Sequence, residues 1–189
     1  RVVVFNDSST DDTLEISEKN NVEVVSHSFQ SGNGMFVIPT YLQFAYEADT
    51  DIVIQIDGDN QHKSQYLPEI CKQLLRTKSN IVIGSRYLEK KKLMGIFSSI
   101  SKFDRILGNY IISFSLKKFV GLNISDPTSG MRAYDRKAII ALKDNSLVTF
   151  DNLTFYSCVA NQGLKLSECQ VEMMEREWPG GRPEDAWYQ

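Results

Sequence analysis

With 189 residues, 42% hydrophobic and 11% aromatic, the chain is long enough for one globular domain with its own core. Three scattered cysteines, Cys71, Cys158 and Cys169, argue against a disulfide framework and a zinc cluster and favour a reducing compartment. No stretch reaches the ~18 apolar residues of a spanning helix, and no signal-peptide pattern, repeat or linker divides the sequence. The net charge of -3 is uneven: Arg86 to Lys118 holds eight basic residues against two acidic ones, so this segment carries +6 and the remainder -9. Such a basic surface suits phosphates or an acidic membrane, or is an ordinary solvated helix face.

The first element is a strand, Arg1 to Phe5, followed by the polar cluster Asn6-Asp7-Ser8-Ser9-Thr10-Asp11-Asp12-Thr13 and a helix through about Lys19. At a strand's carboxyl end, Asp7 either caps that helix or holds a ligand. Val22 to Ser26 is the next strand. Ser31-Gly32-Asn33-Gly34 then turns into a helix reaching about Ala48, with Pro39 in its first turns, and glycines such as Gly34 let backbone approach a phosphate there.

The apolar run Ile52-Val53-Ile54-Gln55-Ile56 reads as a buried strand that breaks off into Asp57-Gly58-Asp59-Asn60-Gln61-His62. Ligands of open α/β sheets sit just beyond such strand ends. Two carboxylates separated by Gly58, which lets the chain bend, can face one point and suit a hard cation, Mg²⁺ or Mn²⁺, shared with a substrate phosphate. The alternative is a polar Asp-Gly turn. A helix from about Ser64 to Thr77 and a strand, Ile81 to Gly84, complete three strand–helix alternations, which predict parallel βαβ units.

From Leu93 to Val120, apolar residues at helical spacing (Ile96, Ile100, Phe103, Leu107, Ile111, Phe114) predict one or two amphipathic helices with basic residues between. Packing on the sheet is the ordinary use of such a face, and lying in a membrane interface is the other. Asp126-Pro127-Thr128-Ser129-Gly130-Met131-Arg132-Ala133-Tyr134 is a turn feeding a short strand. Helices at about Arg136 to Leu142 and Asn152 to Gln162, a strand from Leu164 to Val171 and a mobile tail from Arg176 complete the chain.

Four stretches together resemble the family-2 glycosyltransferases of GT-A fold, and within them the dolichyl-phosphate mannose synthase and polyprenyl-phosphate glycosyltransferase branch. They are Asn6 to Thr13, Asp57 to His62, Ile83-Gly84-Ser85-Arg86-Tyr87 and Asp126 to Tyr134, in family order over nearly the whole chain. The resemblance implies a Rossmann-like α/β three-layer sandwich with a mostly parallel central sheet, a single catalytic domain over residues 1–189 with a flexible tail over 176–189. It further implies that Asp7 faces the nucleotide base and that Asp57 and Asp59 form the DxD metal and diphosphate site, with Gly58 and Gly34 beside the donor. Gln61 resembles an added metal ligand, and Arg86, Asp126, Ser129 and Arg132 would face the sugar and acceptor, with Arg86 and Asp126 near the chemistry. Apart from the resemblance, the guanidinium of Arg105 in the basic segment suits an acceptor phosphate.

The activity implied is inverting transfer from a nucleoside-diphosphate sugar, with Mg²⁺ or Mn²⁺, to a lipid-linked phosphate at the cytoplasmic face of a membrane, with no nucleic-acid partner. Transfer to a sugar hydroxyl of a cell-surface polysaccharide is the alternative, with Asp126 as the base, and a non-catalytic nucleotide-binding domain is a further one. A phosphatase of haloacid-dehalogenase type would carry its Asp-x-Asp on the opening strand, whereas here α/β units precede it. Three features depart from the family pattern. Its usual first strand is not matched, a carboxylate expected on the helix before the last strand is replaced near Thr154, with Asp151 early, and the tail around Arg176 and Arg182 lacks the family's Arg-x-x-Gly-x-Ser.

Overall fold

The computed structural model describes residues 1–28, 37–89, 100–145 and 151–174, with the backbone alone for 100–105. Gly34, Lys90 to Lys92, Ile96 and the tail from Arg176 therefore lie outside the described residues, as do the side chains of Ile100, Phe103 and Arg105.

Strands β1 (Val3–Asn6) and β2 (Glu23–Ser26) flank helix α1 (Thr13–Lys19) and pair in parallel. Helix α2 (Val37–Glu47) leads to β3 (Ile52–Gln55), then a short 3₁₀ turn (Ser64–Tyr66) runs into α3 (Leu67–Thr77) and β4 (Ile81–Ser85). Helix α4 (Ile100–Ser115) ends in a π-helical turn (Leu116–Val120), after which come β5 (Arg132–Asp135), α5 (Arg136–Leu142), α6 (Asn152–Asn161) and β6 (Leu166–Gln170). The second sheet has the order β3-β5-β4-β6, in which β3, β4 and β6 share one direction.

Strand β5 runs against its neighbours, with Gln55 opposite Arg132 and Ile52 opposite Asp135. Its first residue therefore stands at the carboxyl end of β3. This reversal carries the Asp126–Met131 turn to the place where the Asp57 loop leaves the sheet.

Alternation along the strands builds two cores and hence three layers. Ile81, Ile83 and Tyr134 face α2, α5 and α6, where they meet Ile38, Leu42, Ile139, Leu142 and Phe155. Val82 and Ala133 face Ile70 and Leu74 of α3 together with Met131 and Val171. Among the described residues no ladder joins β1 to β3, yet α2 serves both sheets. Phe5 of β1 packs edge-on to Tyr41 and Phe44 of α2, and the Tyr41 hydroxyl donates to Gln55 of β3 at 2.7 Å.

Candidate active site

The Asp57 loop is held from beneath by a buried histidine. The Asp57 amide donates to His62 Nδ1 at 2.9 Å, which places the ring proton on Nε2. That Nε2 is buried and meets no partner among the described residues. Burial pushes the His62 pKa down, against the opposing pull of Asp57 and Asp59, so the ring stays neutral at pH 7. Asp59 Oδ1 accepts from the Gln61 amide at 3.1 Å, and Asn60 takes the left-handed conformation (φ 60°) that this tight turn needs.

Two bonds suture the loop to the chain leaving β6. The Met174 amide donates to Gln61 O at 3.0 Å, and Gln61 Nε2 donates to Met174 O at 3.3 Å. Donation through Nε2 keeps Gln61 Oε1 compatible with a ligand role.

Only glycine at position 130 leaves the Asp57 carboxylate where it stands. A Cβ there would lie 2.6 Å from Asp57 Oδ1 and 2.8 Å from its Cγ, and closer still to Oδ2. The turn before β5 thus presses bare backbone against the Asp57 carboxylate.

Among the described residues no three His, Cys, Asp or Glu side chains gather. The carboxylates of Asp57 and Asp59 and the amide oxygen of Gln61 are hard donors, and half of the Asp57 side chain is exposed, which fits a hard cation that completes its shell with oxygens from outside the protein.

Beside this loop lies a polar network centred on Asp126, which is fully buried. Arg86 Nε and Nη2 donate to its two oxygens at 2.6 and 2.7 Å, and the Arg86 amide adds a third bond at 3.0 Å. Burial alone would lower the Arg86 pKa, but the bonds and charge of Asp126 outweigh it, so the guanidinium is held firmly charged. Arg86 Nη2 also donates to Thr128 Oγ1 at 2.8 Å, and Thr128 in turn donates to Asn109 Oδ1 at 3.0 Å.

Glu168 of β6 anchors the same turn from below. It accepts from the Ser125 amide at 2.9 Å, the Ser125 hydroxyl at 2.8 Å and the Asp126 amide at 3.1 Å. Neither Glu168 nor Asn109 figures among the sequence candidates. The signal for Glu168 was a charge inside a strand, which demands a partner when the strand is covered.

Ser129 and Arg132, expected at the acceptor, point inward instead. Ser129 is buried, and its hydroxyl accepts from the Met131 amide at 3.2 Å. Arg132 is 4% exposed, stacks 4.6 Å from the Phe155 ring centre, and donates to Ser129 O at 2.9 Å and to Asn152 Oδ1 at 3.0 Å. Both hold the turn that carries Asp126 and Gly130, because a buried guanidinium needs its donors filled.

Asp7 does not cap α1. The Thr13 amide is bonded by Asp11 Oδ1 at 3.1 Å, whereas Asp7 faces His27 at the carboxyl edge of the first sheet. Asp151 is likewise engaged, capping α6 by accepting from the Thr154 amide and hydroxyl, both at 2.9 Å.

On α4 and at the start of the π-helical turn, Asn109, Ile112 and Leu116 face the protein, and Leu107, Tyr110, Ile111 and Phe114 face outward. Tyr110 is 66% exposed and Phe119, just beyond, 76%. Lys118 Nζ lies 5.9 Å from the Phe114 ring centre and 5.5 Å from that of Phe119. No acidic residue occurs from Ile106 to Ser125. Among the described residues no helix is long and apolar enough to cross a membrane.

Comparison with known proteins places these residues in context. The sequence model of Glycosyl transferase family 2 matches residues 1–142. The UDP-N-acetylglucosamine–dolichyl-phosphate N-acetylglucosaminyltransferase of Methanococcus voltae is 26% identical over 160 residues, covering 76% of this chain and 61% of that protein. The undecaprenyl-phosphate mannosyltransferase of Micrococcus luteus is 26% identical over 186 residues, covering 93% and 72% respectively. Among solved structures, glucosyl-3-phosphoglycerate synthase from Mycobacterium tuberculosis in complex with phosphoglyceric acid superposes with a TM-score of 0.63 at 19% identity, over 98% of this chain and 62% of that one. The same protein in complex with Mn²⁺ and uridine-diphosphate-glucose gives 0.58 at 17% identity over the same shares. The likeness establishes the GT-A fold.

Proposed function

The chain belongs to glycosyl transferase family 2, and from that premise we propose that it transfers a sugar from a nucleoside-diphosphate sugar to a polyprenyl phosphate, with a divalent cation and with inversion at the anomeric carbon. Two relatives are named for transfer to dolichyl and undecaprenyl phosphate, and a structural neighbour was solved with Mn²⁺ and uridine-diphosphate-glucose.

The observation that carries the choice of acceptor is the engagement of Asp126. A sugar hydroxyl must lose a proton as it attacks, so it needs a positioned base within hydrogen-bond reach. Asp126 is buried and clamped by Arg86, and Glu168 behind it accepts three bonds, so neither carboxylate is placed to take that proton. An acceptor phosphate is already anionic at neutral pH and needs no base.

In the reaction an acceptor phosphate oxygen forms a bond to the anomeric carbon from the face opposite the diphosphate. The bond from that carbon to the diphosphate breaks, and its electron pair leaves on the diphosphate oxygen. Asp57 and Asp59, with Gln61, would hold the cation, which when bound supplies Lewis-acid stabilisation to the departing charge. Arg86, oriented by Asp126, presents a fixed cation to the acceptor phosphate, and Arg105 is a second candidate for that role. Asp7 and Gly34 are assigned to the nucleotide, while Ser129 and Arg132 shape the turn between donor and acceptor.

The outward face of α4 and the following turn suits the rest of the acceptor. Apolar and aromatic residues interleaved with Lys117 and Lys118 can rest at an anionic bilayer surface, on the cytoplasmic side, where a polyprenyl chain resides. The test is an acceptor panel: the full chain is given its donor with a short polyprenyl phosphate or with sugar acceptors. Lipid-phosphate product is the expected result, and transfer confined to sugar hydroxyls would overturn the reading.

A further inference from the structure

The carboxyl edge of the first sheet carries a three-residue array. Strands β1 and β2 pair in register up to Asn6 opposite Ser26, and the His27 amide extends the ladder by donating to Asn6 O at 2.9 Å. The next residues out, Asp7 and His27, therefore stand side by side where the sheet ends. His27 Nδ1 lies 3.2 Å from Asp7 Oδ1, and His27 Nε2 lies 3.0 Å from Thr40 Oγ1 on α2.

Each nitrogen of the ring thus has one partner, on two different elements, and the imidazole plane is fixed. The array is satisfied whether the ring is neutral or charged. Nδ1–H donates to the carboxylate in both states, while the Thr40 hydroxyl donates to a neutral Nε2 or accepts from a protonated one. Both side chains of the His27–Asp7 pair are about three-quarters buried, so the contact is formed at low solvent exposure. Its consequence falls on Asp7, whose Oδ1 is tied to the ring by that contact.

We propose that His27 is a positioning residue for nucleotide recognition, orienting Asp7 as an acceptor that selects donor bases bearing a ring N–H. Uracil N3–H and guanine N1–H can donate to such a carboxylate, whereas cytosine and adenine present an acceptor nitrogen at the corresponding edge. Thr40 anchors the far side of the ring. This inference rests on the nucleotide-sugar reading of the preceding section.

The test is a nucleotide titration of the full chain with UDP, GDP, CDP and ADP in Mn²⁺, in parent, His27→Leu, His27→Asn and Thr40→Val proteins, each with Asp7 or Asp7→Asn. The parent is expected to bind UDP or GDP about tenfold tighter than CDP and ADP, the range of one charge-assisted bond. His27→Leu should lose most of that preference and raise the donor KM with kcat within about twofold, because the misaligned group acts in binding. His27→Asn, whose amide can donate from the Nδ1 position, should restore it, and Thr40→Val should give a smaller loss.

On the Asp7→Asn background, His27→Leu should add nothing, since it acts only through Asp7. An undiminished effect of His27→Leu on that background would overturn the proposal, as would four equal nucleotide affinities or failure of His27→Asn to rescue. A parent that binds no nucleotide at all would instead overturn the proposed function, and nucleotide binding indifferent to His27 would leave that function standing and remove this inference alone.

Discussion

Replacing Asp126 with alanine should destabilise the protein substantially, because its carboxylate is the enclosed half of a bidentate ion pair. The side chain has no exposure, and it accepts bonds of 2.6, 2.7 and 3.0 Å from Arg86. Removing one member of a buried pair costs roughly 3–5 kcal/mol, since the other charge is left uncompensated. Arg86 keeps 26% of its side chain in solvent and can partly rehydrate, so the lower end, about 3 kcal/mol, is the better expectation.

For a chain of this length each kcal/mol moves Tm by roughly 2–4 °C, which gives a fall of about 6–12 °C. Calorimetry in EDTA, where no ligand linkage contributes, reads it directly. Arg86→Met should cost more, because the carboxylate it abandons has no exposure at all, and the double variant Arg86→Met/Asp126→Leu should recover part of the loss. An Asp126→Ala protein that melts with the parent yet has lost turnover would refute this reasoning and make Asp126 a group of the chemistry itself.

Four further outcomes are expected. Gly130→Ala should weaken Mn²⁺ activation several-fold with only a small change in Tm, because the new Cβ displaces the Asp57 carboxylate rather than core atoms, as titration of activity with Mn²⁺ would register. Asp59→Asn should abolish metal-dependent turnover while the circular dichroism spectrum and Tm stay near the parent's, since Asp59 stands in a surface loop. His62→Leu should raise the Mn²⁺ concentration for half-activation about tenfold and His62→Asn much less, because asparagine Oδ1 can still accept from the Asp57 amide. Ile111→Ser with Phe114→Ser should reduce co-sedimentation with anionic vesicles while leaving turnover of a short, soluble acceptor phosphate intact, both residues being more than half exposed.

The parts of the site that were legible in the sequence are those made by a local rule. Ile52 to Gln55 is a short apolar run, and its abrupt end in Asp57 and Asp59 announced a strand terminus carrying carboxylates. Elements dependent on chain entry were less so. The alternation of strands and helices predicts parallel units, and only the pairing of Arg132 with Gln55 reveals that β5 enters from the opposite end and so delivers Gly130 to Asp57.

Partners distant in sequence were invisible for the same reason. Nothing near Asp126 signals that Arg86 and Glu168, 40 and 42 residues away, will hold its turn. Periodicity left the stripe of Leu107, Ile111 and Phe114 open between packing on the sheet and lying at a membrane interface, and in the structure these three face outward. The stripe that faces the protein is Asn109, Ile112 and Leu116, where Asn109 Nδ2 donates to Ser125 O at 2.8 Å and so substitutes a hydrogen bond for apolar contact. For Asp7 the sequence left cap and ligand roles open, and in the structure the Thr13 amide donates to Asp11 Oδ1 instead, which removes the first.

The most direct test of the account follows label from a panel of nucleoside-diphosphate sugars into a short polyprenyl phosphate, with Mn²⁺ and with EDTA, and resolves the anomeric configuration of the product by NMR. The account predicts one labelled glycosyl phosphate of configuration opposite to the donor, formed with Mn²⁺ and abolished both by EDTA and by Asp57→Asn. Product of retained configuration, or equal transfer in EDTA, would contradict it.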